Sequence, residues 1–334
     1  MARKRGLQAV CAAPVLIFVP KIMKKLQAGC HKLYELWEEQ MAYSSTDKIK
    51  IALNRKENTN LPVLAGERIP LLKFPSLDGT GIVEHGFTTR IGGVSGMEPG
   101  MDHLRSLNLS FSRGDREENV RENFRRVAQE FGVDSDRFVF SSQTHTSNVR
   151  TVTEADAGKG LTRPQDQNDV DALVTDERRL VLSIFVADCV PVAFVDPVHR
   201  AIGMAHSGWR GTVARIGAAV VQRMRENYGT NPEDLICAIG PSVCRDCYEV
   251  SCDVAERMAE EFHGHEGEIL EDRHNGHYQL DLWKTNRIVL EEAGVPAEHI
   301  SVTGVCTCCN PQVLFSHRAS HGMRGNLGAF LMLK

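Results

Sequence analysis

Apolar residues recur at helical spacing in two stretches of the chain. Val120, Phe124, Val127 and Phe131 form one stripe, with Asp115 as N-cap, Glu118 three residues on, and Gly132 as the stop. Val213, Ile216, Val220, Met224 and Tyr228 form the second stripe, which predicts one helix over Thr212–Tyr228 closed by Gly229 and Pro232. A third helical pattern, Ile22–Met41, sets Leu26, Leu33, Leu36 and Trp37 near one face. Strand-type runs occupy 83–90, before the turn Ile91-Gly92-Gly93, and then Arg137–Ser141, Ala172–Thr175, Leu180–Val186, Val190–Val195 and Arg200–Ala205. Helices and strands follow no regular alternation, so the class is α+β and not a doubly wound parallel sheet.

The texture changes along the chain. Residues 1–60 are lysine-rich and carry no chemical motif, and they are expected to be an appended segment, partly helical or disordered. A single catalytic domain is expected over 61–334. Met1–Arg5 is basic and the run to Pro20 is apolar, which superficially suggests an export signal. Pro14 and Pro20 interrupt it, Lys21, Lys24 and Lys25 follow where small residues should stand, and Gln27 spoils the lipidation box ending at Cys30.

The chain has 334 residues, 42% of them hydrophobic, enough to bury a real core. Its 39 Lys and Arg against 43 Asp and Glu give a net charge of -4. No broad basic field exists to grip a phosphate backbone, so nucleic acid is not an expected partner; no membrane is expected either. Ten cysteines in a chain of this length, several of them clustered, read as thiols or metal ligands and point to a reducing cytoplasm.

The densest chemistry lies between Val186 and Gly211. Asp196-Pro197 is turn chemistry between two strand-type runs. A hairpin centred between Pro197 and Val198 would set Cys189 opposite His206, close enough to share a metal ion. A thiolate and an imidazole suit zinc or copper better than magnesium or calcium. His145, just past the strand at Arg137–Ser141, is the candidate third ligand, which would leave a fourth position open, as in catalytic zinc sites. Beyond His206 the chain runs through Ser207-Gly208-Trp209-Arg210-Gly211 into a helix, and these glycines, the helix N-terminus and Arg210 make a candidate anion cradle. A buried small hydrophobe at Cys189, a core histidine and an ordinary tight turn are the plainer alternatives.

Together these residues closely resemble the laccase-domain family, also called polyphenol oxidase-like, YfiH-like or peptidoglycan editing factor proteins. The resemblance covers His85 to Lys334. It rests on the run from His85 to Ser95, Leu107-Asn108-Leu109, Gly114-Asp115, Gln143 with His145, Asp171-Ala172, Ala187-Asp188-Cys189 and Ala205 to Gly211. Gly240-Pro241-Ser242, Cys247-Tyr248-Glu249, Cys306-Thr307 and Phe315-Ser316-His317-Arg318 complete it. The resemblance implies mixed sheets covered by helices in an α/β/β/α sandwich. It further implies a zinc-dependent purine nucleoside phosphorylase that also deaminates adenosine and splits methylthioadenosine. Carried over, the metal ligands are His145, Cys189 and His206, the catalytic residues Cys189, His206, Arg210 and Arg318, and the substrate or phosphate contacts Arg90, Gln143, Gly208, Gly211 and Arg318. Thr146 stands where a glycine often follows the ligand histidine, and Ala319-Ser320 replace a frequent Arg-Asp pair.

Multicopper chemistry needs about ten histidines, largely as His-x-His pairs. Of 13 histidines here only His263 and His265 form such a pair, so a true laccase is disfavoured, although copper could occupy the same trio. Two other readings compete. One is a cysteine hydrolase of peptidoglycan editing, with Cys189 as nucleophile and a histidine base. The other is a zinc-ribbon-like structural module built from Cys244 and Cys247, at C-x-x-C spacing, with two of Cys306, Cys308 and Cys309, a group read as lacking that spacing.

Overall fold

The computed structural model describes residues 53–56, 63–66 and 68–334, so the expected Ile22–Met41 helix and the export-signal features lie outside the described residues. The described residues form one compact unit. Two six-stranded mixed sheets face each other. The first runs, in spatial order, Val63–Ala65 (β1), Leu71–Lys73 (β2), Val83–Thr88 (β3), Leu327–Leu333 (β15), Val181–Val186 (β7) and Phe138–Val139 (β4). The second runs Ile300–Val302 (β14), Ile236–Ile239 (β10), Val190–Asp196 (β8), Ala201–Ser207 (β9), Ala172–Thr175 (β6) and Val149–Thr151 (β5). A small third sheet orders Glu249–Ser251 (β11), His277–Leu280 (β13) and Leu270–Asp272 (β12).

Side-chain alternation explains the layers. On β15, Phe330 and Met332 pack with Val120, Phe124 and Val127 of the helix Glu117–Glu130, while Ala329 and Leu331 turn to the space between the sheets. On β9, Ile202 and Met204 enter that same space, whereas Ala201 and Ala205 face the helices Ile216–Tyr228 and Leu282–Glu292. A Cβ on Gly203 would stand 2.9 Å from Val220, so glycine there lets helix and sheet close up. The result is the α/β/β/α sandwich, with three adjoining apolar cores.

Most predicted elements appear, with instructive shifts. The strand expected over Arg137–Ser141 shrinks to β4, because Arg137 ends a 3-10 turn and the Phe140 amide leaves the ladder to donate to Lys159 O. Asp115 does not cap its helix: its carboxylate accepts from the side-chain amides of Asn108 and Asn119 and from the Arg116 amide. The single helix expected over Thr212–Tyr228 is two, Trp209–Val213 and Ile216–Tyr228. The break falls at Arg215, in the left-handed region at φ 55°, where its guanidinium pairs with Glu261 and Glu292 and lies over the Phe262 ring. Tertiary ion pairs hold a conformation that local helix propensity opposes.

The β8–β9 hairpin corrects the predicted register. Asp196 pairs with Ala201, not His199, and Pro191, not Cys189, stands opposite His206. The Asp196 carboxylate accepts from the amides of Val198 and His199, and Arg200 takes φ 52°, which draws four residues into the loop instead of two. A two-residue shift preserves which face each side chain occupies.

Candidate metal centre and cavity

Asp171, directly before β6 and fully buried, organises the site. Its Oδ2 accepts from the amides of Thr144 (3.0 Å) and Thr146 (2.9 Å) and from the Thr146 hydroxyl (3.1 Å). Its Oδ1 accepts from the His145 amide (3.1 Å) and sits 2.7 Å from His206 Nδ1. Burial opposes ionisation of Asp171, but these donors, His206 foremost, outweigh it and hold the carboxyl down at about 2. The loop wrapped round this carboxylate carries His145 at φ 68°, a conformation that a non-glycine residue adopts only when its surroundings impose it. Bonding at Nδ1 leaves His206 Nε2 as the free ligand atom, the arrangement of metal-ligating histidines backed by a carboxylate.

Cys189 is delivered by the turn that feeds β8. Asp188, at φ 88°, is fixed by the Thr307 hydroxyl at 2.5 Å and the Arg318 amide at 2.7 Å, while its carbonyl accepts from the Val243 amide at 3.1 Å. One ligand atom from each of His145, Cys189 and His206 lies within 4.8 Å of the other two, with Cys189 Sγ 3.9 Å from His145 Nε2. Burial disfavours the Cys189 thiolate, yet the His206 charge and hydrogen bonds from both histidines bring the thiol down to about 6. The same partnership, with Asp171, raises His206 against the opposing effect of burial. A Cβ on Gly208 would stand 3.0 Å from His145 Cδ2 and 3.1 Å from Cys189 Sγ, so the glycine keeps the space beside the ligand atoms clear. Two imidazoles and a polarised thiol in this space fit a zinc-type ion.

The trio forms one wall of a cavity of about 420 Å³. Phe111, Phe140 and Phe185 supply aromatic surface, and Arg113 and Arg324 supply positive charge. Arg324 Nε is buried without a hydrogen-bond partner. Burial, reinforced by the neighbouring Arg113 charge, lowers the Arg324 guanidinium to about 10. Among the described residues the lining contains no carboxylate.

The other expected site residues distribute unevenly. Gln143 lines the cavity but is held through its side-chain amide on both backbone atoms of Phe185, at 2.8 Å each. Arg90 lies elsewhere, donating to the carbonyls of Arg105 and Pro311 and stacking on Phe315. Arg318 donates to Glu249 O and lies over Tyr248, and Arg210 lies over Trp209 beyond the cavity lining. Gly211 is buried, where a Cβ would approach Thr146 O at 3.3 Å and His206 O at 3.4 Å, so it serves close packing behind the histidines. The residues that sequence reasoning passed over are Asp171, present in the Asp171-Ala172 match but given no role, and Arg113 and Arg324, which no local pattern marked.

Residues 84–334 match the family described as multi-copper polyphenol oxidoreductase laccase. The chain is 36% identical over 250 residues to the purine nucleoside phosphorylase YlmD of Bacillus subtilis, covering 75% of this chain and 88% of that one. It is 33% identical over 251 residues to the adenosine deaminase RL5 of an unknown prokaryotic organism, covering 74% of this chain and 94% of that one. The crystal structure of the hypothetical protein YfiH of Bacillus licheniformis superposes with a TM-score of 0.75 at 34% identity, over 82% of this chain and 99% of that one. Sequence, sandwich and ligand trio agree, and the chain belongs to this laccase-domain, YfiH-like family, which includes purine nucleoside phosphorylases.

Proposed function

We propose that the chain is a zinc-dependent purine nucleoside phosphorylase, converting adenosine, inosine, guanosine or methylthioadenosine plus phosphate to free base and ribose 1-phosphate, and that it also deaminates adenosine. The observation that carries this reading is one cavity joining a His-Cys-His trio to two arginines, with no carboxylate among its described lining residues. A cavity of about 420 Å³ suits a nucleoside. Phosphate takes the Arg113 and Arg324 end, where an anion relieves the repulsion between the guanidiniums and gives Arg324 Nε a partner. The purine lies against the phenylalanine faces. The relatives named as a phosphorylase and as an adenosine deaminase support one pocket serving both reactions.

In phosphorolysis the bond from the anomeric carbon to the base nitrogen breaks, its electron pair leaves with the base, and a phosphate oxygen bonds to the sugar. Positive charge therefore grows on the ribose and negative charge on the purine. The arginines hold the nucleophile in place, so the attack is effectively intramolecular. Asp171 keeps the His206 Nδ1 proton and thus the orientation of the ring. A zinc ion held by His145, Cys189 and His206 would supply Lewis-acid stabilisation and, for deamination, an activated water. Among the described residues the other metal-type group consists of cysteines alone, so the ligands favour single-ion chemistry over a multicopper oxidase. We further propose that the working domain is 61–334 together with the short stretch 54–56 that bonds to it, and that it acts in the cytoplasm. Among the described residues no helix is long and apolar enough to cross a membrane.

The test is product analysis of the purified, metal-quantified full chain. Inosine should yield hypoxanthine and ribose 1-phosphate only when phosphate is supplied, and Cys189→Ala or His206→Ala should abolish this without unfolding the protein. Base release without phosphate, or full activity in both variants, would overturn the proposal.

A further inference from the structure

Four thiols that the proposed reaction does not use converge away from the cavity lining. We infer that Cys244, Cys247, Cys306 and Cys309 form a second metal site, a closed tetrahedral centre for one structural zinc ion. The sequence supplies two C-x-x-C turns, because Cys306 and Cys309 are separated by two residues, and the spacing thought missing from the later group is present. The first turn follows β10 and includes the 3-10 segment Arg245–Cys247. The second follows β14, and the bridge between Ser242 and Cys306 brings the two together.

One sulfur from each residue lies within 4.8 Å of the other three, and Cys247 Sγ is 3.5 Å from Cys309 Sγ. Zn–S bonds of about 2.3 Å in a tetrahedron set sulfurs roughly 3.8 Å apart, whereas a disulfide needs about 2.05 Å. The spacing is that of a shared ion. Amides point at the sulfurs as well: Cys244 N donates to Cys306 Sγ at 3.2 Å and Cys309 N to the same atom at 3.4 Å. Such N–H groups stabilise thiolate charge. Cys244 and Cys306 are buried and Cys247 and Cys309 partly so, which leaves little room for a water or substrate ligand. The Lys56 ammonium, paired with Asp246 at 2.8 Å, lies within electrostatic reach of Cys244 and Cys309.

The position indicates what the ion would do. Thr307, inside the second turn, donates to the Asp188 carboxylate, and Val243, beside Cys244, donates to the Asp188 carbonyl. Pinning the two turns together clamps the residue that aims Cys189. The structural-module and enzyme readings are therefore compatible, since the two groups share no residue.

Metal analysis of the full chain, purified under reducing conditions, tests this independently of activity. Two zinc ions per chain are expected. Cys247→Ser and Cys309→Ser should each remove one, Cys189→Ala should remove the other, and Cys308→Ala should remove neither. Should the serine variants fail to fold, cobalt loaded into the Cys189→Ala chain should show the intense thiolate-to-cobalt charge transfer of a four-sulfur site. A single zinc that disappears with Cys189→Ala, cobalt lacking that absorption, or peptide mapping that finds a disulfide among the four residues in unreduced protein would each overturn the inference.

Discussion

Replacing Asp171 by asparagine changes almost no volume but exposes how the metal centre is organised. Five donors converge on this carboxylate: the amides of Thr144, His145 and Thr146, the Thr146 hydroxyl and His206 Nδ1. An asparagine offers one oxygen and one NH2 group, so one side of the constellation must face a donor. If the NH2 replaces Oδ2, the amides of Thr144 and Thr146 lose their acceptor, at about 1–3 kcal/mol each. If it replaces Oδ1, the His145 amide is stranded and His206 must accept at Nδ1, which puts its proton on Nε2 and removes a metal ligand. Either orientation is damaging. Loss of carboxylate backing costs a metal site about 10–100-fold in affinity, or roughly 1.4–2.7 kcal/mol, and stability should fall by about 2–6 kcal/mol. Chelator competition measures the first quantity and urea unfolding of the metal-free chain the second. A variant that binds zinc within about twofold of wild type and unfolds at the same urea midpoint would refute the reasoning.

Three further outcomes follow from the same geometry. In the metal-free chain, alkylation of Cys189, followed by peptide mass mapping, should accelerate as pH rises through about 6, because His206 and His145 favour the thiolate against the effect of burial, and zinc should suppress it; a rise only near the ordinary thiol range would refute the pairing, and rapid inactivation with the metal retained would favour a cysteine nucleophile. Arg324→Met should raise the KM for phosphate about 10- to 150-fold, the equivalent of one charge-assisted hydrogen bond, with little change in the KM for nucleoside, while Arg318→Met should spare phosphate use; steady-state kinetics with phosphate varied decides between them. A chain starting near Met41 should fold and stay active, because it keeps Asn54–Lys56, which bond to Gly304 and Asn310; loss of soluble expression would count against an appended segment.

Local order was legible along the chain. Short runs of β-type apolar residues located Ala172–Thr175 to the residue and the β8–β9 pair within one or two residues, and the stripe from Val120 to Phe131 located the first helix. These features depend on near neighbours, and a short apolar run bounded by turn residues or a period of 3.6 is written in the chain whatever its tertiary setting. His145, Cys189 and His206 were also marked, by ligand chemistry and by family resemblance. Their argued adjacency had the wrong hairpin register, because loop length depends on how Asp196 satisfies the Val198 and His199 amides, which no hydrophobic pattern encodes. The helix break at Arg215 needed Glu261 and Glu292, and the positive end of the cavity needed Arg113 and Arg324, residues more than two hundred positions apart. Two C-x-x-C turns were written in the chain, yet it takes the parallel pairing of β10 with β14, continued by the bridge from Ser242 to Cys306, to bring their sulfurs together. Charge and ligand geometry act through space, so a sequence names the residues that can take part, whereas packing of the two sheets decides which of them meet.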